Sequence, residues 1–190
     1  MNLIEKTALH GDRLFTLSSV LSAEECEHLI QRAEGVGFAD APVTVGVNKF
    51  RMAPDIRNNL RVMVDAPEDA AWLWARIEPF VPASFGDFYA VGLNERLRYY
   101  RYQAGQFFDW HRDGSFMRSR DEQSMLTVLF YLNDGFAGGT TDFMDGDGDL
   151  CVPPQRGGAL LFMHQLSHRG APVLAGTKYV LRSDVMYARA

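Results

Sequence analysis

Short apolar or β-branched runs alternate with turn residues from about residue 90 onward, and this pattern restricts the possible fold more than any other feature of the sequence. Alternation of this kind is typical of antiparallel strands. Strands this short and numerous favour a sandwich or a small barrel. The predicted strands are Leu97–Tyr102, Asp109–His111, Leu126–Leu132, Thr140–Phe143, Gly158–Phe162 and Tyr179–Tyr187.

Two helices are predicted ahead of these strands. Ser22, followed three residues later by Glu25, fits a capping box, in which each side chain bonds to a backbone NH that the helix leaves free. Pro67 suits the first turn of a second helix, which Pro79 and Pro82 would end. Helices followed by a β region indicate an α+β fold in which the helices cover one outer face of a sheet.

We therefore expect an α+β chain with a double-stranded β-helix, or jelly roll, flanked by N-terminal helices. The expected organisation is one domain over residues 1–190, with helical support at 20–80 and the β-helix core at about 95–188. Residues 43–59 have weak periodicity and are predicted to form a loop plus an edge strand beside the site entrance. This segment and its flank carry four basic residues: Lys49, Arg51, Arg57 and Arg61.

Composition argues against several classes of function. The formal net charge of -5 offers no broad basic surface for a phosphate backbone, although a local basic groove can exist within an acidic total. No run of about 18 apolar residues is present, so no membrane anchor is predicted. Cys26 and Cys151 lie far apart, outside any zinc-binding spacing, and are expected to be reduced thiols. We expect a cytoplasmic protein that binds neither nucleic acid nor membranes.

His111 and Asp113 are the first pair with metal-binding potential, because residues two apart on a strand point to the same face. Alone, the pair also fits a solvated turn at a strand end. A second histidine could complete a facial triad, the two-histidine, one-carboxylate arrangement of non-haem Fe(II) oxygenases. His164 and His168 both qualify for that position. Such a donor set suits Fe(II) and leaves coordination positions open, whereas zinc is a poorer fit.

Four segments in order resemble the prolyl 4-hydroxylase-like branch of the Fe(II)/2-oxoglutarate oxygenases, over about residues 20–187. The segments are Leu21–Cys26 at the capped helix, Tyr102–Asp113 with a Tyr-x-x-Gly-Gln segment and the iron motif, Leu132–Phe143 with a turn similar to Gly-Gly-Glu-Thr-x-Phe, and His168–Lys178 with the distal histidine and the cosubstrate lysine. The resemblance implies three iron ligands: His111, Asp113 and His168. It also implies three residues near the distal carboxylate of 2-oxoglutarate: Lys178, Tyr102 and Thr127.

Lys178 and Arg182 share one face of the last predicted strand, so two cations compete for the cosubstrate. The residues alone leave the main anchor open. The position of Lys178, ten residues after His168, matches the family and favours the lysine. Arg182 is expected to support it in a salt bridge or at the substrate end of the site.

The activity that the resemblance implies is hydroxylation of a substrate C–H with Fe(II), 2-oxoglutarate and O2, releasing succinate and CO2, with ascorbate as a further cofactor. Asp113 argues against halogenation, which in related enzymes needs a small residue at the carboxylate position. Thr140 replaces the family's usual Glu, and Tyr179 stands where collagen-type enzymes have Trp. These departures weaken the case for a proline substrate, and a protein side chain, a free amino acid or another small metabolite all stay open.

Two rival functions fit the sequence less well. A non-catalytic, cupin-like binding barrel has no need for Lys178, a cation placed ten residues past its histidine. A nucleic-acid demethylase of the same fold is disfavoured by the acidic total. Structural roles are favoured for His10 and His164, and Trp110 is predicted to lie in the core. Residues 117–123 are predicted to form either a solvated hairpin loop or the rim of the substrate opening.

Overall fold

The computed structural model describes residues 3–46, 49–146 and 148–189, and the chain is mostly β-sheet with few helices. The helices are α1 (Ala23–Val36) and α2 (Pro67–Ile77), and a 3-10 turn at Glu78–Phe80 follows α2. The strands are β1 (Glu5–Ala8), β2 (Leu14–Ser18), β3 (Ala39–Asp40), β4 (Val43–Gly46), β5 (Lys49–Arg51), β6 (Leu60–Asp65), β7 (Ser84–Phe85), β8 (Phe88–Leu93), β9 (Arg96–Gln103), β10 (Phe108–His111), β11 (Glu122–Tyr131), β12 (Ala137–Gly138), β13 (Thr141–Asp145), β14 (Gly148–Val152), β15 (Ala159–Met163), β16 (His168–Gly170), β17 (Val173–Ala175) and β18 (Thr177–Arg189).

The large sheet is built around β18, which is 13 residues long. β18 pairs with β11 along one side and with β9 and β8 along the other. The strand order is β1-β2-β15-β11-β18-β9-β6-β3, with β7 attached to β8. Each pair within this sheet is antiparallel, as the alternation of short runs and turns predicts.

The small sheet has the order β10-β16-β13-β14 and faces the large sheet. One apolar cluster joins the two, because Tyr100 and Val180 of the large sheet pack together with Phe143 and Val152 of the small one. A cavity remains between the sheets and is lined by residues of both.

Both helices begin where the sequence predicts. The Ser22 Oγ accepts from the Glu25 amide at 3.2 Å, and the Glu25 carboxylate accepts from the Ser22 amide at 2.8 Å, so the capping box is formed. Pro67 is the first residue of α2. The apolar faces of both helices pack against the outer face of the large sheet through residues such as Leu29 and Leu73. The fold therefore has helices outside and the cavity inside.

Several strands carry no clear sequence signal. β1 is exposed along its whole length and so lacks apolar alternation. β2, β6 and β8 are also absent from the strands that the sequence predicts. Residues 43–46 and 49–51 form a hairpin. Arg57 forms an isolated bridge with Phe108, the first residue of β10. At the site, the predicted edge strand is therefore reduced to this short bridge. The side chain of Lys49 lies outside the described residues.

Two further expectations concern the surroundings of β10. Trp110 is only partly buried, and the guanidinium of Arg169 lies 4.8 Å from its ring centre, so its predicted place in the core is wrong. Residues 117–123 form an exposed hairpin loop closed by a bridge between Met117 and Gln123, which agrees with the solvated alternative.

Among the described helices, none is long and apolar enough to cross a membrane.

Candidate metal centre

His111, Asp113 and His168 meet at the mouth of the cavity. His111 ends β10 and His168 begins β16, and the two are direct partners across the antiparallel pair. The Nε2 atoms of His111 and His168 lie 3.8 Å and 3.6 Å from the carboxylate oxygens of Asp113. One ligand atom from each of the three residues lies within 4.8 Å of the other two. The register of β10 with β16 brings the two imidazoles together, and the bond from the Asp113 amide to the His164 carbonyl, 3.0 Å, holds Asp113 beside them just after β10.

Both imidazoles are oriented with Nε2 toward the Asp113 carboxylate. The Nδ1–H of His111 donates to the Asp109 carbonyl at 2.7 Å, and the Nδ1–H of His168 donates to the Leu166 carbonyl at 3.0 Å. A carbonyl can only accept, so these bonds fix the tautomer that leaves Nε2 with a free lone pair. Burial lowers the pKa of His111 to about 3 and also lowers the pKa of His168. Neutral imidazole is the form that binds a metal.

Asp113 is held by neighbours on both oxygens. The Thr127 hydroxyl donates to Oδ2 at 2.6 Å, and Arg182 Nη1 donates to Oδ1 at 2.7 Å. Burial alone would raise the pKa of Asp113, but the charge of Arg182, followed by the two histidines and the Thr127 bond, holds it below its ordinary range. The carboxylate is therefore ionised and rigidly placed.

His164 lies behind Asp113 and not beside the other two imidazoles. Its ring nitrogens contact the hydroxyls of Ser124 at 2.8 Å and Thr127 at 2.9 Å, and its carbonyl accepts from the Asp113 amide at 3.0 Å. The structure thus brings His168 together with His111 and Asp113, a group of candidate ligands called the metal cluster below. It places His164 in a buried hydrogen-bond network behind them. This geometry agrees with the structural role predicted for His164.

Lys178 lies at the deep end of the cavity and is 3% exposed. Its ammonium donates to the Gly139 carbonyl at 2.6 Å and lies 5.4 Å and 5.6 Å from the ring centres of Tyr102 and Tyr131. No described carboxylate forms an ion pair with it. Burial lowers the pKa of Lys178 to about 7, against a small raising effect of Asp142.

The glycine pair before β13 makes room for that lysine. Gly138 and Gly139 have φ of +73° and +67°, a backbone region that favours glycine. A Cβ on Gly139 would lie 3.2 Å from Cδ of Lys178, and a Cβ on Gly138 would lie 2.5 Å from the Pro172 carbonyl oxygen. Only glycine therefore fits at this turn without displacing its neighbours.

The remaining site residues differ from expectation in one respect. Tyr102 lines the cavity as predicted, but Thr127 contacts Asp113 and does not line the cavity near Lys178. The threonine that lines the cavity is Thr141, whose hydroxyl is 2.8 Å from that of Tyr131. The alternation of β13, in which Thr141 and Phe143 both face inward, was the sequence signal that could have identified Thr141.

A sequence model of the 2OG-Fe(II) oxygenase superfamily matches residues 97–183, a range that contains every candidate site residue named above. The chain belongs to that superfamily. It is similar to Prolyl 4-hydroxylase 1 of Arabidopsis thaliana, with 30% identity over 190 residues, which is 88% of this chain and 66% of the plant protein. It also resembles a PKHD-type hydroxylase of Maricaulis maris, with 26% identity over 166 residues, 87% of this chain and 74% of that protein. The chain thus spans about two thirds of the length of the Arabidopsis relative.

Solved structures of this oxygenase superfamily share the fold. A viral collagen prolyl hydroxylase from Paramecium Bursaria Chlorella virus-1 superposes with a TM-score of 0.65 at 22% identity, covering 96% of this chain and 99% of the viral one. A prolyl hydroxylase from Trichoplax adhaerens superposes with a TM-score of 0.70 at 18% identity, covering 93% and 84%. At these identities the likeness concerns the fold alone.

The donor set of this oxygenase fits Fe(II). Two neutral imidazoles and one ionised carboxylate are the donor types of the facial triad of non-haem iron oxygenases, and no fourth His, Cys, Asp or Glu of the described residues joins the group. Each imidazole also has the outer hydrogen bond that orients metal-binding histidines. The residues present therefore suit the metal that the superfamily uses.

The two departures from the family pattern lie away from the cavity. The Tyr179 hydroxyl donates to Glu34 at 2.6 Å, and its ring packs against Phe38 at 6.2 Å between ring centres. Thr140 does not line the cavity either. Neither contact tests whether the substrate is a prolyl residue, so that expectation stays a prediction.

Proposed function

We propose that this protein is an Fe(II)- and 2-oxoglutarate-dependent dioxygenase of the prolyl 4-hydroxylase type, which hydroxylates a substrate C–H bond and releases succinate and CO2. One juxtaposition carries the proposal: three metal donors within 4.8 Å share a cavity with a buried lysine that lacks a described carboxylate partner. The two facing sheets support a double-stranded β-helix as the scaffold of this site.

The proposed roles follow from the contacts. His111, Asp113 and His168 would hold Fe(II) through two Nε2 atoms and a carboxylate oxygen. Bound Fe(II) would supply the oxidation that couples decarboxylation of 2-oxoglutarate by O2 to hydroxylation of the substrate. Thr127 and Arg182 keep the Asp113 carboxylate ionised and in place.

Lys178 would pair with the distal carboxylate of 2-oxoglutarate. Inside the cavity that carboxylate is removed from water, and an unpaired ion there is unfavourable by several kcal/mol. The rings of Tyr102 and Tyr131 exclude water around the ammonium, and the Thr141 hydroxyl lines the same cavity. The lysine and the cosubstrate each supply the charge that the other lacks.

A prolyl residue in a peptide is the first substrate to test. The Arabidopsis relative is named a prolyl 4-hydroxylase, and the Trichoplax structure contains a peptide fragment of a hypoxia inducible factor. Neither departure at Thr140 or Tyr179 reaches the cavity. A free amino acid and another small metabolite are the alternatives. Ascorbate is expected to sustain turnover by keeping iron reduced.

Succinate release tests the proposal. Purified protein is incubated with Fe(II), 2-oxoglutarate and O2, with and without proline peptides or free amino acids, and succinate is measured by mass spectrometry. Release is expected to require all three components. It should be lost in His111→Ala, Asp113→Ala and His168→Ala, and retained in His28→Ala, a change at an exposed helical histidine. Iron-independent release, or full activity in the three variants, would refute the proposal.

A further inference from the structure

Four arginines surround Tyr100, a buried residue that lines the cavity. Arg61 on β6 lies directly opposite Tyr100, and Arg98 on β9 lies directly opposite Arg182. Residues paired in this way project from the same face of a sheet, so Arg61 and Arg98 lie on the inner face. The guanidinium carbon of Arg57 lies 4.6 Å from the centre of the Tyr100 ring.

Two of these arginines are neutralised. Asp184 accepts from Arg98 at 2.9 Å and from Arg182 at 3.2 Å. Asp113 accepts from Arg182 at 2.7 Å. Arg98 and Arg182 are therefore explained as part of the support behind the metal cluster.

The other two arginines have no such partner. Among the described residues, no carboxylate forms an ion pair with Arg57 or Arg61. Arg57 is 5% exposed, its Nε donates to the Asn59 side chain at 2.7 Å, and its Nη2 is buried without a hydrogen-bond partner. Its guanidinium is sandwiched between Tyr100 and Phe108, whose ring centre is 4.4 Å away. Both rings line the cavity.

The excess positive charge affects its neighbours. Burial would raise the pKa of Tyr100, but Arg57 above all, and then Arg182 and Arg98, lower that pKa below its ordinary value. Burial lowers the pKa of Arg61, and repulsion from the other three guanidiniums lowers it further, against an opposing effect of Tyr100. The potential at this end of the cavity is therefore strongly positive.

We infer that Arg57 and Arg61 bind a carboxylate group of the substrate, at the side of the cavity formed by Tyr100 and Phe108. This inference rests on the proposed function and names the substrate class of that same site. A buried guanidinium without an anion is unfavourable. Buried charges that lack the usual partner occur at functional sites. A carboxylate fits the two-pronged guanidinium, and two such cations give it both charge and direction.

The carboxylate belongs to the substrate and not to 2-oxoglutarate. Lys178 is on β18, whereas Arg61 is on β6, on the far side of β9. In the proposed binding mode, one carboxylate of 2-oxoglutarate is at the metal and the other pairs with Lys178, so neither is left for Arg57 and Arg61. A nucleic-acid phosphate is disfavoured because the whole chain has a net charge of -5.

Matched pairs of acids and amides test the inference. The probes are N-acetyl-L-proline with N-acetyl-L-prolinamide, and Ac-Pro-Glu-NH2 with Ac-Pro-Gln-NH2. Within each pair only one charge differs, and the two pairs distinguish a free carboxylate from an acidic side chain. The dissociation constants are measured by ligand-observed NMR on protein loaded with Zn(II) and 2-oxoglutarate, which cannot turn over. We expect the acid of at least one pair to bind about tenfold more tightly, a difference of about 1.4 kcal/mol.

Variants assign that preference to the two arginines. Arg61→Gln and Arg57→Gln should each remove most of the preference, while Arg57→Lys should keep part of it. Arg96→Gln removes an equal charge from an exposed pair with Asp65 and should leave the preference unchanged. Circular dichroism and thermal unfolding establish that each variant is folded, and Arg61→Gln serves if the buried Arg57 variants are not.

The failure of this inference can be distinguished from the failure of the proposed function. Uncoupled succinate release, measured without any probe in the Fe(II) protein, reports the proposed function alone. If release occurs and both acids bind no better than their amides, or bind not at all, the carboxylate receptor is refuted. It is also refuted if the preference survives in both glutamine variants. If release never occurs, the proposed function itself fails.

Discussion

The two cations that line the cavity, Lys178 and Arg182, lie on the same face of β18 and have opposite surroundings. Arg182 bonds to Asp113 at 2.7 Å and to Asp184 at 3.2 Å. Lys178 bonds only to the Gly139 carbonyl, at 2.6 Å, among the described residues. One cation is neutralised before any ligand arrives, and the other is not.

On the proposed function, this difference separates a structural cation from a ligand-binding one. The charge of Arg182 is already balanced by two buried carboxylates, although its Nε has no hydrogen-bond partner among the described residues. An unpaired buried lysine is unfavourable until an anion reaches it, so its burial energy is recovered when the ligand binds. The following predictions test this contrast, beginning with the largest expected effect.

Arg182→Met should destabilise the fold. The change leaves Asp113 without its cation and Asp184 with only Arg98, and breaking a buried ion pair on one side lowers the free energy of unfolding by about 3–5 kcal/mol. Urea denaturation of the metal-free protein measures the effect. Arg96→Met, which removes an exposed pair with Asp65, is the control and should cost about 0–1 kcal/mol. Equal stability of the two variants would show that Arg182 is not structural.

Lys178→Met should act on the cosubstrate instead. Loss of a buried cation that no described carboxylate neutralises should raise the apparent KM for 2-oxoglutarate about 100-fold, or about 2.7 kcal/mol, with a smaller effect on kcat. The free energy of unfolding should not fall, because the charge is unpaired in the ligand-free protein. Arg182→Met should change this KM much less. If instead Arg182→Met raises the KM and Lys178→Met does not, the two roles must be exchanged.

His164→Ala tests whether the residues around Arg182 hold Asp113 in place for the metal cluster. The sequence alone predicts that this change is nearly silent. The structure places His164 between Ser124 and Thr127, so its loss should free the Thr127 hydroxyl from its position on Asp113. Metal affinity should fall about tenfold, as for other outer-sphere changes.

Titration of Co(II) into the metal-free protein, followed by visible absorption, measures that affinity. His164→Gln can bond to both hydroxyls and should restore part of it, whereas His28→Ala on the surface of α1 should change nothing. An unchanged Co(II) affinity in His164→Ala would mean that Thr127 and Arg182 suffice to hold Asp113.

The smallest expected effect is proton uptake when 2-oxoglutarate binds beside Lys178. Burial lowers the folded pKa of Lys178 to about 7, so the unfavourable charge is fully present below that pH and is lost as the pH rises toward the unfolded value. An anion restores the charged form, so 2-oxoglutarate binding near pH 8 should take up close to one proton, and near pH 6 almost none. Calorimetry of the Zn(II) protein in buffers of different ionisation enthalpy measures this uptake. The pH dependence should disappear in Lys178→Met.

The metal cluster and the lysine could be predicted because they depend on local patterns. The HxD spacing indicates His111 with Asp113, although Asp113 lies just past the end of β10, and strand alternation places Lys178 with Arg182; each of these pairs faces the cavity. The choice between His164 and His168 needed spacing, since both are buried histidines on neighbouring segments. Only the resemblance supplied that spacing.

The parts that could not be predicted depend on contacts across the sheets. Thr127 contacts Asp113 because the Asp113 amide bonds to the carbonyl of His164, which follows β15, the strand that pairs with β11. Arg57 and Arg61 were visible only as a basic segment within a chain of net charge -5. The pairing of β6 with β9 places Arg61 beside Tyr100, and Arg57 reaches the same ring from the segment before β6. The net charge of the whole chain does not reveal a local cluster of arginines of this kind.

The central position of β18 sets what this scaffold can change during evolution. The strand that presents Lys178 and Arg182 is hydrogen-bonded to neighbours on both sides, so substitutions that alter its backbone or its core-facing residues disturb the fold. Arg61 lies near the edge of the sheet, where the two-residue strand β3 pairs with the outer side of β6, and Arg57 lies in the segment before β6. If the two arginines bind substrate as inferred, replacing them should change the substrate specificity while iron and 2-oxoglutarate binding are preserved.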